Sequence, residues 1–159
     1  MPRVKSSPGT HISAHPAARL LRAEPQSDWH LIRFDGSCHG NGSDAATGRW
    51  AFHLTDPSGK TVGVNSGKSA AHPTTNNITE YEGLLNGLRH AAGTPSVCGI
   101  LIEGDSELVV RVTCGRWRAK LPHIIELRNE ALELLTGLAV PWCARWIPRD
   151  ENEFCDSLT

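Results

Sequence analysis

A short apolar run, Leu31-Ile32-Arg33-Phe34, leads directly into Asp35, and a stretch of small, turn-prone residues, Gly36 to Gly42, follows it. A carboxylate at the end of a buried strand is unfavourable unless it is paired or holds a cation. Whatever this chain folds into must therefore bring partners to Asp35. Three later acids stand at comparable points of punctuation. Asp105 follows an apolar run after one glycine, Glu80 lies in the first turns of an amphipathic segment, and Asp156 follows the last strand pattern.

The pattern between these acids gives the order of elements. Trp29 to Asp35, Arg49 to Leu54 and Lys60 to Gly67 read as three short strands divided by Gly, Pro, Asn and Asp clusters, which is the signature of an antiparallel meander. Trp50 and Phe52 fall on one face and suit core packing. Thr75 or Asn76 caps a helix in which Ile78, Tyr81, Leu84, Leu85, Leu88 and Ala92 form an apolar stripe, with Glu80, Gly83, Asn86 and Gly87 elsewhere on the wheel. That helix ends near Gly93. Val97 to Glu103 is a compact apolar run suited to a central strand. Ser106 to Val112 reads as a short helix. His123 to about Leu138 reads as a longer one, with Ile124, Ile125, Leu127, Leu132 and Leu135 as core candidates. Trp142 to Ile147 is the last strand, and Pro148 to Asn152 opens a final short helix. The order β-β-β-α-β-α-α-β-α predicts an α/β fold with a mixed sheet and packed helices.

Residues 1–28 are set apart by Pro2, Pro8, Pro16 and Pro25, with only Ala17 to Ala23 able to form a short helical turn. They are expected to be an N-terminal extension, in part disordered or draped over a single domain of residues 29–159. Arg3, Lys5, Arg19 and Arg22 make the extension modestly basic, fit either for a phosphate backbone or for solvent.

If the first, fourth and fifth strands are neighbours, Asp35 and Asp105 stand side by side. Carboxylates that close cannot all ionise without a cation. All-oxygen ligation selects hard ions, so Mg²⁺ or Mn²⁺ is the expected occupant. Two such ions can clamp the attacking and leaving oxygens of an in-line phosphoryl displacement.

The stretches FDGSCHGNG, TTNNITEYEG, EGDSELVV and PRDENEFCD, in this order and spacing, resemble type 1 ribonuclease H over about residues 29 to 159. The likeness is to the compact archaeal and bacterial branch that lacks the basic protrusion and reads TNN-x-x-EYEGL in its second motif. The resemblance implies a ribonuclease H-like fold, a five-stranded mixed sheet with helices on both faces. It implies an endonuclease using two Mg²⁺ or Mn²⁺ ions to cut the RNA strand of an RNA/DNA hybrid, leaving 5′-phosphate and 3′-hydroxyl ends. Asp35, Glu80, Asp105 and Asp156 match the family's metal-binding acids, with Asp35 bridging both ions, Asp156 serving the water-activating ion, and Glu80 and Asp105 the other. Glu82 is the near miss, since the family's glutamate stands three residues after the second Asn of TNN. Asn41 and Thr75 match positions that hold a DNA phosphate. Cys38, Asn76 and Asn77 match contacts in the hybrid's minor groove, where RNA's 2′-hydroxyls are exposed. Asn152, four residues before Asp156, matches a binding position or serves as a helix cap.

The chain departs from the family in four places. Arg149 stands where many members carry a histidine; it cannot be a general base and is expected to steady phosphate. Only Arg116-Trp117-Arg118-Ala119-Lys120 remains where others insert a lysine- and tryptophan-rich segment. This remnant offers phosphate contacts and an aromatic surface, or else Trp117 is core. Glu107 replaces a glutamine that contacts hybrid. Three residues follow Asp156, so the last helix is expected to lack the usual apolar stripe and to leave the end of the chain close to the metal site.

The formal net charge of −1 excludes a strongly basic nucleic-acid coat but not a local basic groove. No apolar run approaches the roughly 20 residues that span a bilayer. The five cysteines are scattered without a CxxC pair, which points to small packed side chains in a reducing cytoplasm. The expected protein is a cytoplasmic monomer acting on hybrid, with duplex RNA as a further substrate to test. The rivals are another ribonuclease H-like nuclease core, against which TNN-x-x-E and the Asn152–Asp156 spacing speak, and an inactive hybrid-binding module, which has no need of four acids opposite phosphates.

Overall fold

The computed structural model describes residues 12–159. Of the expected extension, residues 1–11, with Arg3 and Lys5, lie outside the described residues. The sheet comprises β1 (His30–His39), β2 (Thr47–Thr55), β3 (Thr61–Lys68), β4 (Ile100–Gly104) and β5 (Trp142–Trp146). The helices are α1 (Asn76–Ala92), α2 (Glu107–Thr113), α3 (Pro122–Leu138) and the single turn α4 (Glu153–Asp156). Strand order is β3-β2-β1-β4-β5. β1, β2 and β3 pair antiparallel, whereas β4 and β5 run parallel to β1. This is the expected mixed five-stranded sheet.

One face of the sheet is apolar. Ile32 and Phe34, their β2 partners Leu54 and Phe52, and Ile100, Ile102 and Trp142 are buried there under Leu84, Leu88, Leu132 and Leu135 of α1 and α3. Side chains alternate along a strand, so His53 projects from the other face. Its ring meets Phe154 at 4.4 Å and seats α4 on that side. Helices thus cover both faces.

Several boundaries differ from the sequence reading. β1 does not end at Asp35 but continues to His39, because β2 pairs with it as far as His39↔Thr47. Its parallel ladder with β4 stops at Phe34↔Gly104. Asp35 is therefore where β1 loses one neighbour, not where the strand ends. β4 begins at Ile100 rather than Val97, after the left-handed Ser96 (φ 65°) and after Gly99, whose Cα packs on the Trp29 ring.

On α1, Thr75 is the cap, its Oγ1 accepting from Ile78 N at 3.2 Å. Ala91 rather than Ala92 closes the apolar stripe. Gly83 and Gly87, expected away from the core, face the sheet instead. A Cβ on Gly83 would stand 2.6 Å from Ala51 O, and one on Gly87 would stand 2.9 Å from Ile32 Cγ2. Two missing side chains let the helix sit against the strand backbone, which sets the depth at which Glu80 enters the site.

Within the extension, the helical turn is a 3-10 turn at Pro16–Leu20. Ala17 is fully buried, its carbonyl accepting from Trp142 Nε1 at 2.8 Å, and Leu21 bridges to Trp142 alongside β5. Trp117 is surface rather than core, 44% exposed, with the Arg111 guanidinium 5.6 Å from its ring centre. Cys143 and Cys155 are buried, Cys38 and Cys114 half-buried and Cys98 exposed, all as free thiols. Among the described residues, no helix is long and apolar enough to cross a membrane.

Candidate active site

The parallel register Phe34↔Gly104 sets Asp35 and Asp105 side by side at the carboxyl ends of the paired segments. Glu80 comes from the second turn of α1, held against β1 by the glycine seam. One carboxylate oxygen from each of Asp35, Glu80 and Asp105 lies within 4.8 Å of the other two. Asp35 is 3% exposed. Burial, then the neighbouring Asp105, push its carboxyl up to about 7, while the Thr159 and Gly36 hydrogen bonds work against the rise. Burial first, then Asp35 and Asp105, hold Glu80 well above the usual carboxylate range. Its Oε2 is buried with no hydrogen-bond partner among the described residues. Three crowded acids and an orphaned buried carboxylate oxygen fit a hard divalent cation, which would neutralise the group and satisfy that oxygen.

Asp156 stands outside this trio. It lies close enough for its charge to act on Asp35, but its Oδ1 accepts from Arg149 Nη2 at 3.1 Å at the exposed end of α4. Arg149 thus engages the last acid directly. Glu82 takes no part: its carboxylate accepts from Ser69 Oγ at 2.5 Å and Ala70 N at 2.8 Å, tying the loop after β3 to α1.

The residues matched to substrate positions form one strip beside the acids. Asn41 Oδ1 accepts from Asn76 N at 2.7 Å, and Gly42 N donates to Thr74 O at 2.9 Å, so the loop after β1 is knitted to the start of α1. Cys38 Sγ lies 3.7 Å from Thr74 O. Asn76 is exposed, with Cys38, Thr75 and Asn77 half-buried beside it. Asn152 is placed differently. It makes no cap bond and is 1% exposed, its Nδ2 donating to Phe34 O at 2.9 Å and lying 3.4 Å from Asp105 Oδ1. It links β1, Asp105 and the last helix from within.

Two further residues shape the site without having been singled out from the sequence. Thr159 Oγ1 donates to Asp35 Oδ2 at 2.9 Å, and Ser37 Oγ donates to Thr159 O at 3.1 Å. Arg33 pairs with Glu103 at 3.2 Å and donates to Glu151 O at 3.1 Å, holding the segment before α4 against β1. A hydroxyl one helical turn beyond Asp156 was the available signal for Thr159. Arg33, alternating with buried apolar residues, gave none.

A family model described as reverse transcriptase-like matches residues 33–159, leaving the segment before β1 outside the match. The chain is 36% identical over 125 residues to ribonuclease HI of Halobacterium salinarum, covering 79% of this chain and 59% of that protein. The crystal structure of RNase H1 from Halobacterium salinarum superposes with a TM-score of 0.71 at 31% identity, over 81% of this chain and 92% of that one. The chain belongs to the type 1 ribonuclease H family. LC11-RNase H1, solved in complex with an RNA/DNA hybrid, is another ribonuclease H of the same fold, with a TM-score of 0.73 at 26% identity over 81% of this chain and 92% of its own. Against the bifunctional protein Rv2228c of Mycobacterium tuberculosis the match is 33% identity over 129 residues, which is 80% of this chain but 34% of that protein. The ribonuclease H unit here thus spans little more than half of the halobacterial curated relative and about a third of the mycobacterial one.

Proposed function

We propose that this chain is a divalent-metal-dependent endoribonuclease that hydrolyses the RNA strand of RNA/DNA hybrids by a two-metal route, leaving 5′-phosphate and 3′-hydroxyl ends. The observation that carries the proposal is the Asp35–Glu80–Asp105 trio, with oxygens within 4.8 Å and one buried oxygen unsatisfied. Metal-binding acids on this fold, beside a polar strip that matches hybrid-contacting positions, support hydrolysis over binding alone.

Asp35, Glu80, Asp105 and Asp156 are the residues to hold Mg²⁺ or Mn²⁺. Bound there, the ions would supply Lewis-acid stabilisation of the phosphate and of the attacking and leaving oxygens. The chain's own part is placement. Thr159 orients Asp35 and Asn152 approaches Asp105, each through a side-chain contact. Asn41 and Thr75, with Asn41 tied to α1 through its bond from Asn76 N, present donors for the phosphate of the DNA strand. Cys38, Asn76 and Asn77 are the residues to meet the minor groove, and shape and 2′-hydroxyls are what distinguish hybrid from duplex DNA. Arg149, permanently charged, steadies phosphate beside Asp156 rather than taking a proton.

A labelled RNA/DNA hybrid, duplex RNA, duplex DNA and single strands incubated with and without Mg²⁺ or Mn²⁺ test the reading. Cleavage of hybrid RNA only with metal is expected. Intact cleavage in both Asp35→Asn and Asp105→Asn variants would refute the mechanism.

A further inference from the structure

Beyond β5, at the edge of the sheet, lies a cavity of about 560 Å³ whose lining includes Arg22, Arg111, Arg116, Arg145 and Trp146. No acid lines it; the rest of its wall is aliphatic side chains and the thiols of Cys114 and Cys143. Four guanidinium groups around one groove are a concentration of positive charge in a chain whose formal net charge is −1.

The arginines differ in how far their charge is already answered. Arg111 pairs with Glu107 at 2.8 Å, and Arg145 lies 3.9 Å from Glu103. Arg22 donates only to the neutral carbonyls of Arg19 and Leu21, and neither Arg22 nor Arg116 has a carboxylate partner among the described residues. Both are exposed. Arg22 is nevertheless placed firmly, because its own N–H donates to Trp142 O at 2.8 Å, next to the Leu21–Trp142 bridge, and Ala17 is locked beneath. The segment before β1 therefore forms a wall of the groove.

The other end of the groove meets the backbone at the end of β4, where Asp105 stands. Trp146, 47% exposed, donates its indole N–H to Asp105 O at 3.1 Å, and Ile147 N donates to Gly104 O at 3.0 Å. Trp117, 44% exposed, stands with Arg111. Positive charge tracking a groove, with open aromatic faces along it, is the combination that binds single-stranded nucleic acid, phosphates on the cations and bases on the rings. An acidic peptide would answer the charge and leave the indole faces unused.

We propose that this groove binds the phosphodiester backbone of an unpaired strand that continues from the hybrid held at the acids, with phosphates on Arg22 and Arg116 and a base against Trp146. The identity of the strand rests on the hybrid-cleaving reading; the binding test below does not depend on cleavage.

The test uses the full chain in EDTA and a fluorescently labelled single-stranded oligonucleotide, DNA and RNA in turn, read by anisotropy across a salt series. Arg22→Glu/Arg116→Glu is expected to weaken binding at least tenfold and to reduce the slope of log K against log salt by about 1.4, for two lost single-strand phosphate contacts. Arg22→Lys should retain most of the affinity. With metal, the double variant should raise KM for a hybrid carrying a single-stranded tail by a larger factor than it raises KM for a blunt hybrid. Melting temperatures control for folding, and Arg116→Ala, at an exposed site, supplies the same comparison if the double variant is unstable. Wild-type single-strand affinity in the double variant overturns the proposal. So does displacement of the oligonucleotide by polyglutamate at equal charge, which would make the groove an acidic-protein site. If the groove variants lose single-strand binding while no hybrid is cut by wild type, the groove stands and the catalytic reading falls.

Discussion

Gly83 of α1 lies against the backbone of β1 at Asp35: a Cβ on Gly83 would stand 2.8 Å from the Asp35 carbonyl oxygen. The helix that delivers Glu80 and the strand that delivers Asp35 are in contact at this point, with no side chain between them. Gly83→Ala sets two effects against each other. Replacing a mid-helix glycine gains about 1 kcal/mol of helix propensity. Forcing a methyl group against two carbonyl oxygens, which cannot turn aside as a side chain would, costs about 1–3 kcal/mol. The variant is expected to be destabilised in urea and to bind Mn²⁺ more weakly by calorimetry, because relief of the clash moves α1, and Glu80 with it, away from β1. Unchanged metal affinity would show that helix depth does not set the site.

Asp35→Asn should abolish cleavage and yet make the metal-free protein more stable. The buried Asp35 carboxyl is raised to about 7 by desolvation and by Asp105, so its ionised form is a strain on the apo fold at neutral pH. An amide removes that charge at nearly constant volume. The expected result in EDTA at pH 8 is a higher melting temperature for the variant, with loss of divalent binding. A lower melting temperature would mean that the carboxylate is well compensated without a cation.

The same shifts fix the sign of a pH effect. Unfolded, Asp35 and Glu80 release protons in the ordinary carboxylate range; folded, Asp35 holds its proton to about 7 and Glu80 well above its usual value. Over that window the unfolded state binds fewer protons, so their contribution to stability is fully present below about pH 4 and is lost as pH rises toward 7. Melting of wild type against Asp35→Asn in EDTA isolates the Asp35 share: the wild type should fall relative to the variant between pH 4 and 7. Mg²⁺, which favours the ionised carboxylates, should raise the wild-type melting temperature more at pH 8 than at pH 5. A difference between the two proteins that does not change with pH would contradict the raised carboxyl.

How far the sequence carried the fold depends on the residue. Asp35 and Asp105 were legible because each follows an apolar strand run and parallel pairing had to align them. Glu80 was separable from Glu82 only through the family's spacing; physically the two differ in which partner they reach, the acids or Ser69. Gly83 and Gly87 were misplaced because a stripe is read from side chains, and these residues face the core by having none. The continuation of β1 to His39 was hidden by its turn-prone composition, which pairing with β2 overrides. Asn152 followed a motif, but its inward orientation depends on Phe34 O, 118 residues away. Contacts of that range leave no local periodicity.

That long-range bond makes Asn152 a sharp test. Its amide donates to Phe34 O and approaches Asp105 Oδ1 from a fully enclosed position. Asn152→Ala should cost about 1–3 kcal/mol through the unmade buried bond, measurable in urea, and should lower kcat with little change in KM for hybrid. A rise in KM at unchanged kcat and stability would instead place the side chain on the substrate.

Arg149 separates stability from function in the opposite way. Its ion pair with Asp156 is exposed, with 77% of the arginine side chain open to solvent, and pairs of this kind contribute about 0–1 kcal/mol. Arg149→Ala should therefore leave the melting temperature nearly unchanged. Asp156 would gain freedom and the substrate phosphate would lose a fixed cation, so kcat/KM on hybrid should fall about tenfold or more, a loss of at least about 1.4 kcal/mol in transition-state stabilisation. Because arginine does not deprotonate, the pH profile of the variant should keep the wild-type shape at reduced height, and Arg149→Lys should restore part of the rate by restoring the charge without the planar fork. A shifted profile in Arg149→Ala would mean that the arginine acts by tuning the titration of a neighbouring acid rather than by holding phosphate.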